Sequence, residues 1–180
     1  MANYPLLTPA TVSAQSGDWN VRTSPLSDLF GIYNVELDYA VNQNWALGPM
    51  YNRFDFEYSD TTIDSSMWGV RVNYYLKNAL EGGWVGSLSA GYGTVDITRP
   101  GTVSGVPVEF STSTSVRVYT ALFSYQAMWD SFNMMFGLGA SYFSMPETVV
   151  GTYGVDALTI DTGFISGIVP NAEFSMGWRF

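Results

Sequence analysis

Two carboxylates come first among the residues that could do chemistry. Glu36 and Asp38 lie two apart in a stretch of alternating polarity, which in an extended strand puts both on one face. Close carboxylates can share a proton and act as an acid–base pair. They can equally serve as counter-ions to buried guanidiniums, for which Arg53, Arg71 and Arg117 are candidates. The rest of the chain offers little catalytic support. It contains no histidine and no cysteine, so it lacks the usual general base and any thiolate nucleophile. The acids are scattered, without the His or Cys that a transition-metal site needs. Asp60 and Asp64 share a loop and could hold Ca²⁺ weakly, but solvated loop acids are the plainer reading. Gly91-Tyr92-Gly93 has no helix behind it and is not a phosphate loop. The expectation is therefore no catalytic residues, no metal and no cofactor, with Glu36 and Asp38 engaged in ion pairing.

An element that brings these carboxylates against arginines must hide charge on one side and show apolar groups on the other. Alternation of period two does this, and it dominates the chain. From Leu29 to Val41, the odd positions are mostly apolar (Leu29, Tyr33, Val35, Leu37, Tyr39, Val41), while Asn34, Glu36 and Asp38 fall on the even face. Trp68 to Lys77 sets Trp68, Val70, Val72, Tyr74 and Leu76 against Arg71, Asn73 and Lys77. Similar alternation runs through Trp84–Thr94, Phe132–Phe143 and Ala172–Phe180. Within Trp45–Tyr58 the apolar face changes parity, which a bulge near Pro49 would reconcile. Within Ser113–Gln126, Val116, Val118, Thr120 and Leu122 share one face and Arg117, Tyr119, Phe123 and Tyr125 the other, with the facing open.

These strands are long. Globular strands average about 5 or 6 residues, whereas tilted strands crossing a membrane need roughly 9 to 11. Connections alternate between short (42–44, 78–83, 127–131) and long (59–65, 99–112, 145–165), as in barrels with short periplasmic turns and longer outer loops. Seven strands follow from periodicity. An even number is the rule for single-chain bacterial barrels, so an eighth is expected before Leu29. The expected fold is all-β: a closed, antiparallel, up-and-down transmembrane β-barrel of eight strands in one domain, 1–180. Its strands run at roughly 10–22, 29–41, 45–58, 66–77, 84–98, 113–126, 132–145 and 166–180.

Composition agrees. The chain has 12 Tyr, 11 Phe and 6 Trp, and only 13% charged residues, about half the share of a soluble domain. Mean hydropathy is nevertheless only +0.07, as expected when an apolar exterior encloses a polar interior. No run approaches the ~20 apolar residues of a transmembrane helix. A net charge of −9, with Lys77 the single lysine, argues against nucleic acid as a partner. Met1-Ala2-Asn3 reads as an added start on a mature chain, and no secretory signal pattern is visible.

The opposite sidedness, with the apolar set inside as in a lipocalin, fits poorly. The polar sets are small and glycine-rich (Ser87, Ser89, Gly91, Gly93; Gly137, Gly139, Ser141). They suit a crowded lumen better than a solvent surface. Trp45, Trp68, Trp84, Trp178 and Phe180 fall near expected strand ends and are assigned to aromatic girdles. Asn34, Glu36, Asp38, Arg53, Arg71, Asn73, Arg117, Glu173 and Arg179 are assigned to a polar network filling the lumen. An eight-stranded barrel is just wide enough for side chains to fill it.

The terminal segment Glu173-Phe174-Ser175-Met176-Gly177-Trp178-Arg179-Phe180 resembles the C-terminal assembly signal of bacterial outer-membrane proteins. Trp178 and Phe180 match it, and Ser175 stands where a glycine is common. The strand plan resembles the small barrels of the OmpA transmembrane domain, OmpX and OmpW. That resemblance implies an integral outer-membrane location, contact with the lipid bilayer, and assembly machinery engaged through the last strand. The expected role is non-enzymatic: structural, or surface interaction with a protein partner at the outer loops. The alternative is a narrow pore or conduit for small solutes.

Overall fold

The computed structural model describes residues 18–28, 31–58, 61–146, 148–153, 156–161 and 166–180. Its strands are β1 (Trp19–Thr23), β2 (Ile32–Ala40), β3 (Trp45–Tyr58), β4 (Thr61–Tyr75), β5 (Gly83–Val103), β6 (Val106–Trp129), β7 (Phe132–Ser144), β8 (Thr148–Tyr153), β9 (Asp156–Asp161) and β10 (Gly167–Arg179), with a helical turn α1 (Pro25–Asp28) after β1. Eight of them form an antiparallel ring. Strands β1 to β7 pair in sequence, β7 pairs with β10, and β10 returns to β1. Hairpin β8–β9 hangs from β6, where Ser111 faces Thr152. Ring closure gives every core strand two neighbours and so removes the open sheet edge except where β1 is short.

The structure differs from the expected plan in several places. Residues 61–65, expected in a loop at 59–65, belong to β4, and the expected loop 145–165 contains β8 and β9. Residues 99–112 are strand rather than loop. The β5–β6 ladder runs unbroken from Gly83 opposite Gln126 to Val103 opposite Val106. It closes at Ser104 and Gly105, both with positive φ (52° and 82°), the geometry of a tight hairpin turn. Hydroxyl residues such as Thr102, Ser111 and Thr112 resemble loop in composition, yet threonine is a good strand former once paired. No bulge occurs near Pro49. The registers of β3 against β2 and β4 are the same on both sides of it. Pro49 instead points outward beside Gly48, where an added Cβ would collide with the Leu37 carbonyl. Finally, the first strand begins at Trp19, and the expected portion 10–17 lies outside the described residues.

Strand β1 is short, and the wall there is uneven. Asn20–Thr23 pairs with Met176–Arg179 of β10, and Trp19–Thr23 pairs with Val35–Tyr39 of β2. Beyond Thr23 the chain turns into α1, which lies against both β2 and β10. Among the described residues, Gly167–Ser175 of β10 has its ladder on the β7 side only.

The facing of side chains explains the parity change in β3. Even positions of β3 from Ala46 to Phe54 point into the barrel: Ala46 is buried, and Phe54 packs on an interior apolar cluster. Phe54 was expected outward because it is apolar. It lies inward because the interior itself changes character along the barrel. In the half that holds the C-terminus, the outside is apolar (Leu47, Val70, Leu88, Leu138) and the inside is polar (Asn20, Arg22, Asp38, Asn73). In the opposite half, Ile63, Met67, Val95, Ile97, Val116 and Met145 form a buried interior cluster. There the outward positions of the same strands are Asp55, Ser66, Thr94, Asp96, Ser113 and Ser115. The polarity of the wall inverts with no change of register.

The inversion falls at one row of aromatics, where Tyr51 faces Trp68 and Trp68 faces Tyr92. A second aromatic ring circles the C-terminal end: Trp19 against Tyr39 at 4.7 Å, Trp45 against Tyr74 at 4.8 Å, and Phe132 against Trp178 at 6.1 Å. From Trp84 to Tyr92, at about 3.3 Å per residue and roughly 40° of tilt, the strand rises ~20 Å, close to the ~25 Å apolar band of membrane barrels.

Candidate functional site

The interior of the apolar-coated half is filled by an ionic network whose members come from β1, β2, β4, β5 and β10, with Asn133 and Met135 of β7 at its edge. Strand β2 supplies Glu36 and Asp38, which alternation places inward together with Asn34. Strand β1 supplies Asn20 and Arg22 by the same rule, since Trp19 and Val21 point out. Strand β4 supplies Arg71 and Asn73, β5 supplies Ser87, and β10 supplies Glu173 and Ser175.

Arg22 bridges the two carboxylates of β2. Its Nη2 lies 2.8 Å from Glu36 Oε2 and 2.9 Å from Asp38 Oδ2. Arg71 approaches from across the barrel. Its Nη1 lies 3.0 Å from Glu36 Oε1, and its Nη2 lies 2.7 Å from Glu173 Oε2. Arg71 also donates to Ser87 Oγ at 3.1 Å and, through Nε, to Asn73 Oδ1 at 3.1 Å. Asn73 donates to Asp38 Oδ1 at 2.8 Å. Ser175 donates to Glu173 Oε1 at 3.1 Å. The Met135 sulfur sits 3.0 Å from Arg22 Nη1. Asn133 extends the network by donating to Asn20 Oδ1 at 2.7 Å. Two guanidiniums thus face three carboxylates, and every one of these side chains is buried or nearly so. Buried charges persist only when paired and hydrogen-bonded in this way.

Below the network the barrel is stoppered. Ala79 and Leu80, in the β4–β5 connection, are buried against Ala40, Ala46, Tyr75, Val85 and Met135. Leu80 takes positive φ (60°) there. Its carbonyl accepts from Arg179 Nη1 at 3.4 Å, and Tyr75 donates to Gln126 Oε1 at 3.0 Å.

The sequence-derived site residues divide. Glu36, Asp38, Arg71, Asn73 and Glu173 lie together in the network. Asn34 is buried one step along, donating to Asn52 Oδ1 at 2.6 Å. Arg179 is half-buried at the stopper, away from the carboxylates. Arg53 and Arg117 are not in the lumen. Both are exposed on the outer wall, because the odd positions of β3 and β6 face outward along their whole length. Arg22 is the main omission from the reading of the sequence. Its signal was available in the Trp19–Val21 alternation, but the weak pattern before Trp19 hid it. Trp45, Trp84, Trp178 and Phe180 are exposed in the ring at the C-terminal end, whereas Trp68 is exposed in the opposite row. Among the described residues no three or more His, Cys, Asp or Glu gather closely enough to hold a metal ion by themselves.

Residues 3–146 match the family described as "Protein of unknown function (DUF3575)". No curated protein matches the chain. The solved structures similar to it include the N-terminal β-barrel domain of Pseudomonas aeruginosa OprF, at 13% identity over 92% of this chain and 98% of that one, with a TM-score of 0.45. Neisserial surface protein A is similar at 13% identity over 91% of this chain and 92% of that one, with a TM-score of 0.43. The barrel assignment rests on the closed ladder, not on these likenesses.

Proposed function

The chain belongs to the DUF3575 family of proteins of unknown function, and for this member we propose the role of a non-enzymatic integral outer-membrane barrel. It has a filled centre and presents a strand-built extension beyond the outer leaflet as a surface-interaction module. The inversion of wall polarity at Tyr51–Trp68–Tyr92 carries this reading. A soluble barrel would keep one sidedness along its whole length. A barrel half in lipid and half in water must reverse it at the interface, because each solvent selects its own surface. The extension uses β3 to β6, with the long β5–β6 hairpin farthest out, so partners would meet a rigid sheet rather than loose loops. The last strand, ending in Trp178 and Phe180, would meet the assembly machinery.

The test places single cysteines at Leu88 and Thr94, labelled with a polarity-sensitive fluorophore after folding into lipid vesicles. The Leu88 label should report hydrocarbon and the Thr94 label water. Equal aqueous emission from both would reject the membrane assignment.

A second reading, a narrow conduit, draws on the short β1. The β10 residues Gly167–Ser175 lack a ladder on that side among the described residues, and backbone groups left so in a bilayer must meet protein or water. Ile168 within this stretch is 77% exposed. Planar-bilayer recording separates the readings. A filled centre gives no reproducible conductance step, and a conduit gives one.

A further inference from the structure

Where the apolar belt ends, the outer faces of β3 to β6 carry three chemically distinct rows, fixed by register. The first is Tyr51–Trp68–Tyr92, with Arg117 opposite Tyr92. Two residues farther along each strand comes Arg53–Ser66–Thr94–Ser115. Two residues beyond that comes Asp55–Asp64–Asp96. All point outward, and Trp68 and Tyr92 are 68% and 57% exposed.

Arg53 and Arg117 are exposed, and neither has a salt bridge or side-chain hydrogen bond among the described residues, although three aspartates stand one row away. Free guanidiniums at the end of an aromatic row (Arg117) and one row above it (Arg53), at the level where headgroups begin, are suited to phosphate, which they grip bidentately. The hydroxyls of Ser66, Thr94 and Ser115 between them can donate to phosphate or sugar oxygens. Arg53 on β3 and Arg117 on β6 stand three inter-strand spacings apart across the sheet and two residues apart along it, about 16 Å in all. That is too wide for both to hold one phosphate at full reach. It suits a headgroup carrying two.

We propose that this strip seats the headgroup of a diphosphorylated glycolipid of the outer leaflet, the lipid A portion of lipopolysaccharide. One phosphate meets Arg53 and the other Arg117, and the acyl chains run down the belt past Leu88 and Val70. The aspartate row limits this arrangement. Like charges opposite one another on adjacent strands repel, and a phosphate one row away adds to the repulsion. A divalent cation bridging phosphate and carboxylate oxygens resolves it. Binding is therefore magnesium-dependent. The proposal rests on the outer-membrane reading above.

The experiment is native mass spectrometry of the folded barrel in detergent with Mg²⁺, titrated with diphosphorylated lipid A, monophosphorylated lipid A and phosphatidylglycerol. Wild type should retain the diphosphorylated lipid at least tenfold more tightly than either of the others, and EDTA should abolish the difference. Arg53→Gln and Arg117→Gln should each reduce the preference to under threefold. Both sites are exposed, so heat-modifiable gel mobility should stay as in wild type. Equal binding of all three lipids, or a preference that survives in both variants, overturns the proposal. A preference that survives EDTA overturns the cation bridge. Failure of the membrane reading looks different: the barrel would then not need detergent to stay in solution.

Discussion

The buried network makes an asymmetric prediction for two substitutions of similar size. In Arg22→Gln, Asp38 loses the only guanidinium within ion-pair distance among the described residues. The 2.9 Å contact of Arg22 Nη2 is its sole salt bridge, although Asn73 still donates to it. Glu36 keeps Arg71 at 3.0 Å. One guanidinium then faces three carboxylates, and Asp38, with a side chain only 1% exposed, is left uncompensated. Breaking a buried pair this way costs about 3–5 kcal/mol. In Glu36→Gln, Arg22 keeps Asp38 and Arg71 keeps Glu173 at 2.7 Å. The charge count becomes balanced, and the loss is that of hydrogen bonds to a charged group, about 1.5–3 kcal/mol. Arg22→Gln should therefore be the more damaging by roughly 1–2 kcal/mol, the difference between those ranges. Reversible urea unfolding in lipid vesicles, followed by tryptophan emission and checked by gel mobility, measures both. If Glu36→Gln costs as much as Arg22→Gln, the charge-balance reasoning fails. If Arg22→Gln costs less than about 0.5 kcal/mol, the size of an ordinary surface change, Arg22 is not buried in an ion pair at all.

Two further outcomes test the inversion of polarity. Leu88→Arg on the lipid belt should cost about 2–4 kcal/mol in vesicles and Thr94→Arg, just beyond the aromatic row, no more than about 1 kcal/mol; equal costs in the same unfolding assay would count against the boundary. Ile97, 2% exposed inside the extension, should cost about 2–5 kcal/mol on replacement by Ala, and a neutral result would mean that the extension has no packed core.

The legible part of this protein is the part that repeats. Alternation in β2, β4, β5, β7 and β10 showed which residues share a face, because a pleated strand has a fixed period and needs no knowledge of its partners. The eighth strand followed from the even number that single-chain bacterial barrels keep, and the absence of His and Cys is a property of composition. Partnership was a different matter. That Arg71 lies between Glu36 and Glu173, 35 and 102 positions away, depends on the ladder registers and the curvature of the ring, which no local pattern encodes.

The facing of Arg53 and Arg117 was misjudged for a related reason. A charged residue was assumed to seek the lumen, as it must in hydrocarbon. Both arginines sit at or beyond the row where the outer wall turns from apolar to polar, and under the proposed membrane reading water there makes the outer wall the cheaper place for charge. The same reversal explains why Phe54 turned inward and suggested a bulge that does not exist. Periodicity determined the faces by itself. Only the tertiary structure decided which face meets lipid, water or lumen at each height, because that choice belongs to the solvent surrounding the assembled wall and not to the strand.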